Sequence, residues 1–411
     1  MDAKPTRGRG NAGYTSALVI LGVFLKLGLT SFGGPIAHLG YFRAEFVARR
    51  RWLDERVYAD LVALCQFLPG PASSQVGFAV GLMRGGIIGA LAAWVGFTLP
   101  SALLLLAFAQ GVDTLTGPVA AGALHGLKIV AVAVVAQAVW GMARTLAPDR
   151  PRATIAGFAV LAVVLVGGAL GQIAAIAFGA IIGIALAGHW IANPQNADTG
   201  DGLPSTIPLK AAGALIVAAL LLLATLPIAR NLGIGGQGLA LFDAFYRAGA
   251  LVFGGGHVVL PLLKESVVAS GWVSPDAFLA GYGAAQAVPG PLFTIAAYLG
   301  AVSTPAPNGV VGAMIALVAI FLPGLLLVAG TLPFWSSVSH VGPVRSAMIG
   351  INAAVVGVLG AALYDPVFTG AVHSPPDFAL ALVAFLLLTV WRTPPWVVVL
   401  FTGACGALLL P

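Results

Sequence analysis

The stretch Gln66-Phe67-Leu68-Pro69-Gly70-Pro71 returns 220 residues later as Gln286-Ala287-Val288-Pro289-Gly290-Pro291. A proline lacks a backbone N–H and clashes with the preceding helical turn, so Pro-Gly-Pro ends a helix that reaches it. Outward from this pair the correspondence continues at nearly the same offset. Gly28-Leu-Thr-Ser-Phe32-Gly33-Gly34 matches Gly249-Ala-Leu-Val-Phe253-Gly254-Gly255. Glu45 and Trp52 match Glu265 and Trp272, and Phe97-Thr-Leu-Pro100 matches Ile320-Phe-Leu-Pro323. Four matches in one order and at nearly one spacing imply a duplicated unit.

The duplicated units are strongly apolar. Of 411 residues, 59% are hydrophobic and 8% charged, where a soluble domain carries roughly 25% charged residues. About 20 apolar residues span a bilayer. Thirteen apolar segments can be counted, at about 16–36, 58–83, 86–110, 119–142, 153–169, 172–192, 209–229, 240–262, 276–300, 309–332, 343–363, 378–391 and 395–410. This pattern predicts an all-α, polytopic integral membrane protein. Residues 1–192 would form the first membrane repeat, 193–238 a polar loop and connecting helix, and 239–411 the second repeat. An even number of segments per repeat, plus one connecting segment, inverts the second copy relative to the first. Inverted repeats with a site at their interface are a secondary-transporter architecture.

Basic residues are retained on the cytoplasmic face of membrane proteins. If every segment crosses, eleven fall on the N-terminal side and six opposite, five of these in the amphipathic stretch Arg43–Arg56. If the first two segments of each repeat are instead hairpins turning at Phe-Gly-Gly and Pro-Gly-Pro, the N-terminal side holds fifteen. Only Arg230 and Lys264 lie opposite, and Lys26, Lys128 and Arg247 sit inside apolar segments either way. Hairpins separate charge better. They put the N-terminus on the cytoplasmic side of the cell membrane, with Arg43–Arg56 resting on that surface, and the C-terminus outside. No small-residue cleavage site follows the first apolar segment, so it reads as retained.

The paired breaks are the first candidates for chemistry. A half-helix beginning after Pro69-Gly70-Pro71 or Pro289-Gly290-Pro291 presents unpaired N–H groups and the positive end of its dipole, which suits an anion. Gln66 and Gln286 accompany these breaks, and Ser73, Ser74 and Thr294 add hydroxyl donors. Phe32-Gly33-Gly34 and Phe253-Gly254-Gly255 let an ion approach backbone amides closely, although small residues also serve tight helix packing. Lys26 and Arg247 occupy equivalent repeat positions inside apolar segments. Buried cations usually line a pathway, and two of them suit a divalent oxyanion. The alternatives are snorkelling of Lys26 and pairing of Arg247 with Asp243 one turn earlier. The tryptophans read as interfacial anchors.

Other classes lack their residues. Cys65 and Cys405 are far apart, no C-x-x-C occurs, and the six histidines have no metal-ligand spacing. There is no H-E-x-x-H, G-x-S-x-G or P-loop sequence, so an enzyme, a resident metal and a cofactor are not expected. Transport would be secondary or channel-like. The net charge of +6 comes without a basic, aromatic-interleaved tract, so nucleic acid is not an expected partner. Carboxylates deep in the membrane, expected of cation carriers, are scarce.

Phe32-Gly33-Gly34-Pro35, the stretch from Arg43 through Trp52, and Gln66-x-x-Pro69-Gly70-Pro71 resemble the chromate ion transporter (CHR) family in its long, two-domain form. The second copy, from Phe253-Gly254-Gly255-Gly256 to Pro289-Gly290-Pro291, resembles it too. The resemblance implies chromate efflux, with sulfate, a dianion of the same tetrahedral shape, as competitor or alternative cargo. An anion channel is the alternative, and a homodimer is compatible. The second copy has Gly256 for the proline and lacks the Arg49-Arg50-Arg51 cluster, so unequal halves are expected.

Overall fold

The computed structural model describes residues 15–112, 117–186, 203, 205–253, 255–338 and 341–409. These residues form helices joined by short turns, and no strand occurs among them. The chain begins with two hairpins. In the first, α1 (Ala17–Thr30) breaks at Ser31–Gly33 and the chain returns as α2 (Gly34–Arg43), continued by a π-helical turn at Ala44–Arg49. In the second, α3 (Glu55–Phe67) breaks at Leu68–Pro71 and returns as the inner arm of α4 (Ala72–Val112). Gly85 and Gly86 leave helical geometry, with Gly86 at φ 61°, so α4 is two helices and the outer arm begins at Gly86.

Four contacts show that both hairpins open at one end of the bundle. The amide of Thr15 donates to the carbonyl of Arg84 at 2.8 Å. The Arg84 guanidinium lies 5.7 Å over the Trp52 ring. Phe24 of α1 meets both Phe42 and Phe46 of the return arm, at ring separations of 5.9 and 5.1 Å. The chain therefore doubles back at Phe32-Gly33-Gly34 instead of continuing across.

After α5 (Pro118–Leu146), the pair α6 (Arg150–Val166) and α7 (Gly168–Ala185), and the connecting helix α8 (Leu209–Asn231), the pattern recurs. The third hairpin is α9 (Gly236–Ala250), a break through Gly255, a 3-10 turn at Gly256–Val258, then α10 (Val259–Leu263) and a π turn at Lys264–Val268. The fourth is α11 (Pro275–Ala287), a break at Val288–Pro291, a 3-10 turn at Leu292–Thr294 and α12 (Ile295–Val302). Their open ends also meet: the amide of Thr304 donates to the carbonyl of Trp272 at 2.9 Å, and Arg230 lies over the Trp272 ring. This end is opposite the first. Along the outer arm of α4, Gly290 sits against Ser101 and Tyr298 stacks on Phe108 at 5.5 Å, so the fourth hairpin runs away from Gly86.

α13 (Gly309–Thr331), the short α14 (Trp335–Val338), α15 (Gly342–Ala362), α16 (Pro375–Thr389) and α17 (Pro395–Leu409) complete the chain. Thirteen crossing segments are not what forms. Among the described residues five helices are long and apolar enough to cross a membrane: 72–111, 118–146, 209–231, 309–334 and 342–368, and the break at Gly85–Gly86 leaves the outer arm of α4 as the span in the first of these. The hairpin arms α1, α3, α9 and α11, at 13–15 residues, fall short of the ~20 needed. The Arg43–Arg56 stretch is continuous with both hairpins. It ends the first return arm and begins α3. There Glu45 pairs with Arg50 at 2.6 Å and Arg49 at 2.9 Å, and Phe46 stacks on Trp52.

Small residues let the backbones meet. A Cβ on Gly249 would lie 2.0 Å from the carbonyl of Ile320, and one on Gly126 2.1 Å from that of Thr402. Such approach is the usual basis of helix association in lipid, where no hydrophobic force acts between helices.

Candidate functional site

The four breaks converge, and the two halves brace each other there. The amide of Gly70 donates to the carbonyl of Val252 at 2.7 Å, and the amide of Gly290 donates to the carbonyl of Ser31 at 2.9 Å. Gly70 and Gly290 are repeat equivalents, and so are Ser31 and Val252. Each Pro-Gly-Pro turn thus pairs with the glycine-rich turn of the other half. Both turn glycines hold positive φ, 120° at Gly70 and 102° at Gly290, a region that side chains other than glycine's resist. Neither has room for a side chain. A Cβ on Gly70 would lie 3.1 Å from Gly324 Cα, and one on Gly290 2.8 Å from Ser101 Oγ.

Ser73 and Ser74 fall in the first turn of the inner arm of α4, and both are 2% exposed. Ser73 Oγ lies 3.3 Å from His38 Nδ1, while Ser74 Oγ is buried without a partner. Ser31 Oγ, Thr98 Oγ1 and Gln75 Oε1 are also buried and unpartnered. A buried polar group without a partner costs ~1–3 kcal/mol, so each of these atoms is open to a bond from a ligand or water. The second half is closed by comparison. Thr294, the equivalent of Ser74, donates its hydroxyl to the carbonyl of Pro291 at 2.7 Å, although Gln286 Nε2 is buried and unpartnered.

The remaining sequence candidates are scattered more widely. Pro71, Pro289 and Pro291 line the breaks, and Pro69 contributes its carbonyl to Gln75 Nε2 at 2.9 Å. Gly33, Gly34 and Gly255 form the glycine turns, and Gly254 lies outside the described residues. Phe32 meets Trp396 at 6.2 Å between rings, and Phe253 is partly buried against the core. Gln66 is exposed on α3. Lys26 lies on the exposed face of α1, where its ammonium has no hydrogen bond or ion pair among the described residues. Arg247 Nη2 sits 2.9 Å from the carboxylate of Asp243, which is 0% exposed and also within 3.5 Å of Arg230.

Three residues at the breaks were passed over in the sequence. Gln75 Nε2 donates to the carbonyls of Pro69 and Gly324, tying the second hairpin to α13. His38 sits between Ser31 and Ser73, and His257 Nδ1 lies 2.7 Å from the Tyr282 hydroxyl. Their repeat equivalents are Ile295, Val259 and Ile36, so a search for matched pairs does not find them. The available signal was a polar side chain within an otherwise apolar arm.

At the second open end, a cavity of about 920 Å³ lies between α5 and the arms of the fourth hairpin. Lys128 lines it and reaches Asp276 at 2.8 Å. Among the described residues no group of three His, Cys, Asp or Glu could hold a metal ion.

Apolar spans and half-length hairpins that meet at their breaks define a multi-pass membrane protein. Comparison with known proteins narrows the class: the chain belongs to the chromate transporter family, whose profile matches residues 18–188 and again 239–407. It is 27% identical to a chromate transport protein of Pseudomonas aeruginosa over 94% of this chain and 91% of that one. It is 29% identical to a probable chromate transport protein of Synechococcus elongatus, covering 90% and 88%. A chromate transport protein of Cupriavidus metallidurans is 26% identical, covering 91% and 88%. No solved structure gives a significant match.

Proposed function

We propose that this protein is a secondary transporter that exports chromate, with sulfate as a competing cargo. In this reading residues 1–192 and 239–411 are inverted repeats, joined by the loop and helix of 193–238. The Arg43–Arg56 end is cytoplasmic, because the hairpin reading of the sequence assigns fifteen of the basic residues to that side. The observation that carries the reading is the set of unpartnered buried hydroxyls of Ser31, Ser74 and Thr98 beside the start of the inner arm of α4. A hydroxyl brings a donor, and a helix start brings orphan N–H groups and a positive dipole end. Together they replace the water stripped from an oxyanion without placing a fixed cation in the membrane.

The family relationship and the names of the relatives support chromate as cargo. Sulfate follows from shape and charge, since donors of this kind recognise a tetrahedral dianion with little regard to its central atom. The test is labelled chromate counterflow in proteoliposomes. Chromate inside should accelerate uptake of labelled chromate, sulfate should inhibit it, and chloride should inhibit weakly. Flux that follows voltage alone, with no acceleration by internal chromate, would instead identify an anion channel. Equal competition by chloride and sulfate would rule out a dianion site.

A further inference from the structure

Each half places one partly or fully buried histidine just past its glycine turn. His38 follows Gly34 and is 1% exposed, and His257 follows Gly256. Their surroundings differ in a way that points to function. His38 Nε2 lies 3.2 Å from the carbonyl of Ser31. A carbonyl only accepts, so Nε2 carries the hydrogen and Nδ1 is the lone-pair nitrogen. At 3.3 Å from Nδ1, the Ser73 hydroxyl is therefore the donor. The same Ser31 carbonyl accepts the amide of Gly290. Thus the one nitrogen of His38 able to take a proton is separated from the first turn of the inner arm of α4 by a single hydroxyl.

The groups around His38 supply no charge. From α1 it meets Ser31, from the inner arm Ser73, and from the outer arm the edge of the Phe97 ring at 5.3 Å. The buried titratable groups on α3 are the Tyr58 phenol, which donates to the carbonyl of Leu39, and the thiol of Cys65, while Glu55, Arg56 and Asp60 are exposed. No charged side chain among the described residues bonds to the imidazole. An imidazolium there would have no resident counter-ion, and an anion at the start of the inner arm would become one.

We propose that His38 is a proton-binding site, and that a proton carried on its Nδ1 accompanies the transported oxyanion. The proposal rests on the anion reading above. The proton comes from bulk water and adds to the Nδ1 lone pair, and no other bond is made or broken. Nδ1–H then donates to Ser73 Oγ, so the hydroxyl hydrogen of Ser73 turns away and is free to donate to the anion. Protonation thus adds positive charge and one donor at the site. By reciprocity, the anion favours the proton by the same factor. The second half lacks this relay, because the Thr294 hydroxyl is committed to Pro291 and His257 pairs with the Tyr282 phenol instead. Coupling therefore resides in the first half.

The test compares wild type, His38→Gln and Ser73→Ala as full-length protein in proteoliposomes. Glutamine retains a donor for the Ser31 carbonyl and takes up no proton. Two quantities are read: labelled-chromate counterflow at equal pH, and net chromate accumulation driven by an imposed pH difference. Anion speciation is common to all three proteins, so differences between them report the protein. In His38→Gln, counterflow should persist with a raised half-saturation concentration, while pH-driven accumulation falls at least about tenfold. Ser73→Ala should also lose pH-driven accumulation, with its histidine intact. Wild-type pH response in His38→Gln would overturn the proposal. Equal loss of both quantities in folded His38→Gln would also overturn it and leave a positioning role. Wild type without chromate counterflow would sink the transport reading itself, and this proposal with it.

Discussion

The amide of Gly290 donates to the carbonyl of Ser31 across 2.9 Å, joining residues that stand 259 positions apart in the sequence. With the equivalent bond from Gly70 to Val252, it makes the centre of the protein a joint product of both halves. Both bonds satisfy main-chain groups where the helices are interrupted. Irregular backbone at membrane depth survives only when protein or trapped water meets its polar groups.

Replacing Gly70 by alanine is expected to break this centre. Its φ of 120° and the 3.1 Å approach to Gly324 Cα combine backbone strain with overpacking, worth about 2–4 kcal/mol together. Thermal unfolding in detergent should show the loss. Alanine at Gly40, where a Cβ meets nothing within 4 Å, is the control and should change little.

Asp243 and Arg247 should behave as a coupled pair. Asp243 is fully buried, with Arg247 at 2.9 Å and Arg230 at 3.5 Å. Arg247→Met removes the nearer cation, and breaking such a pair costs roughly 3–5 kcal/mol. Folded yield should fall, and Asp243→Asn in the same chain should restore it. Lys26→Met should fold normally, since its ammonium is exposed. Chromate flux of these folded variants then tests the anion role that the sequence suggests for both cations. Wild-type flux in Lys26→Met and in the double variant would dismiss it.

The two open ends should face opposite compartments. Ala48 and Ser270 are both exposed, one at each end. Single cysteines there, in a chain lacking Cys65 and Cys405, should be labelled by an impermeant thiol reagent from opposite sides. The Ala48 position should react only from the cytoplasm. Labelling of both from one side would refute the inverted arrangement.

Acid should weaken the first open end through Glu45. Burial opposes its charge, but hydrogen bonds from Arg50 and Arg49 outweigh burial and hold its carboxyl below the usual range. A carboxyl with a lowered folded pKa gives its full contribution above the unfolded value, about 4.3. That contribution disappears as pH falls through the folded value. Thermal stability of the solubilised protein should therefore drop below about pH 4, and Glu45→Gln should flatten that drop while lowering stability near neutrality.

Much of the architecture was legible because helix breakers and charge are local signals. Pro69-Gly70-Pro71 and Phe32-Gly33-Gly34 marked the turns, and five arginines between Arg43 and Arg56 showed that the chain had come back. Crossing number was less legible. The stretch 58–83 is long enough to span, and only its Pro-Gly-Pro shows it to be two arms. The polar centre was the least legible part. Repeat matching finds what the halves share, whereas Gln75 and His38 stand in one half alone. Lys26 and Arg247 match in sequence, yet Arg247 meets a carboxylate, Asp243, whose repeat equivalent is Gly22, and Lys26 meets none.

The reciprocal brace has a consequence for biogenesis. While only the first half has left the ribosome, the Gly70 amide has no acceptor, because Val252 has not been made. The Ser31 carbonyl likewise awaits Gly290. An orphan amide in hydrocarbon costs several kcal/mol, so the early hairpins cannot settle at their final depth on their own. They must remain hydrated or chaperoned at the insertion site until some 290 residues have been threaded, and the order of synthesis imposes a waiting period that ends when the second half docks.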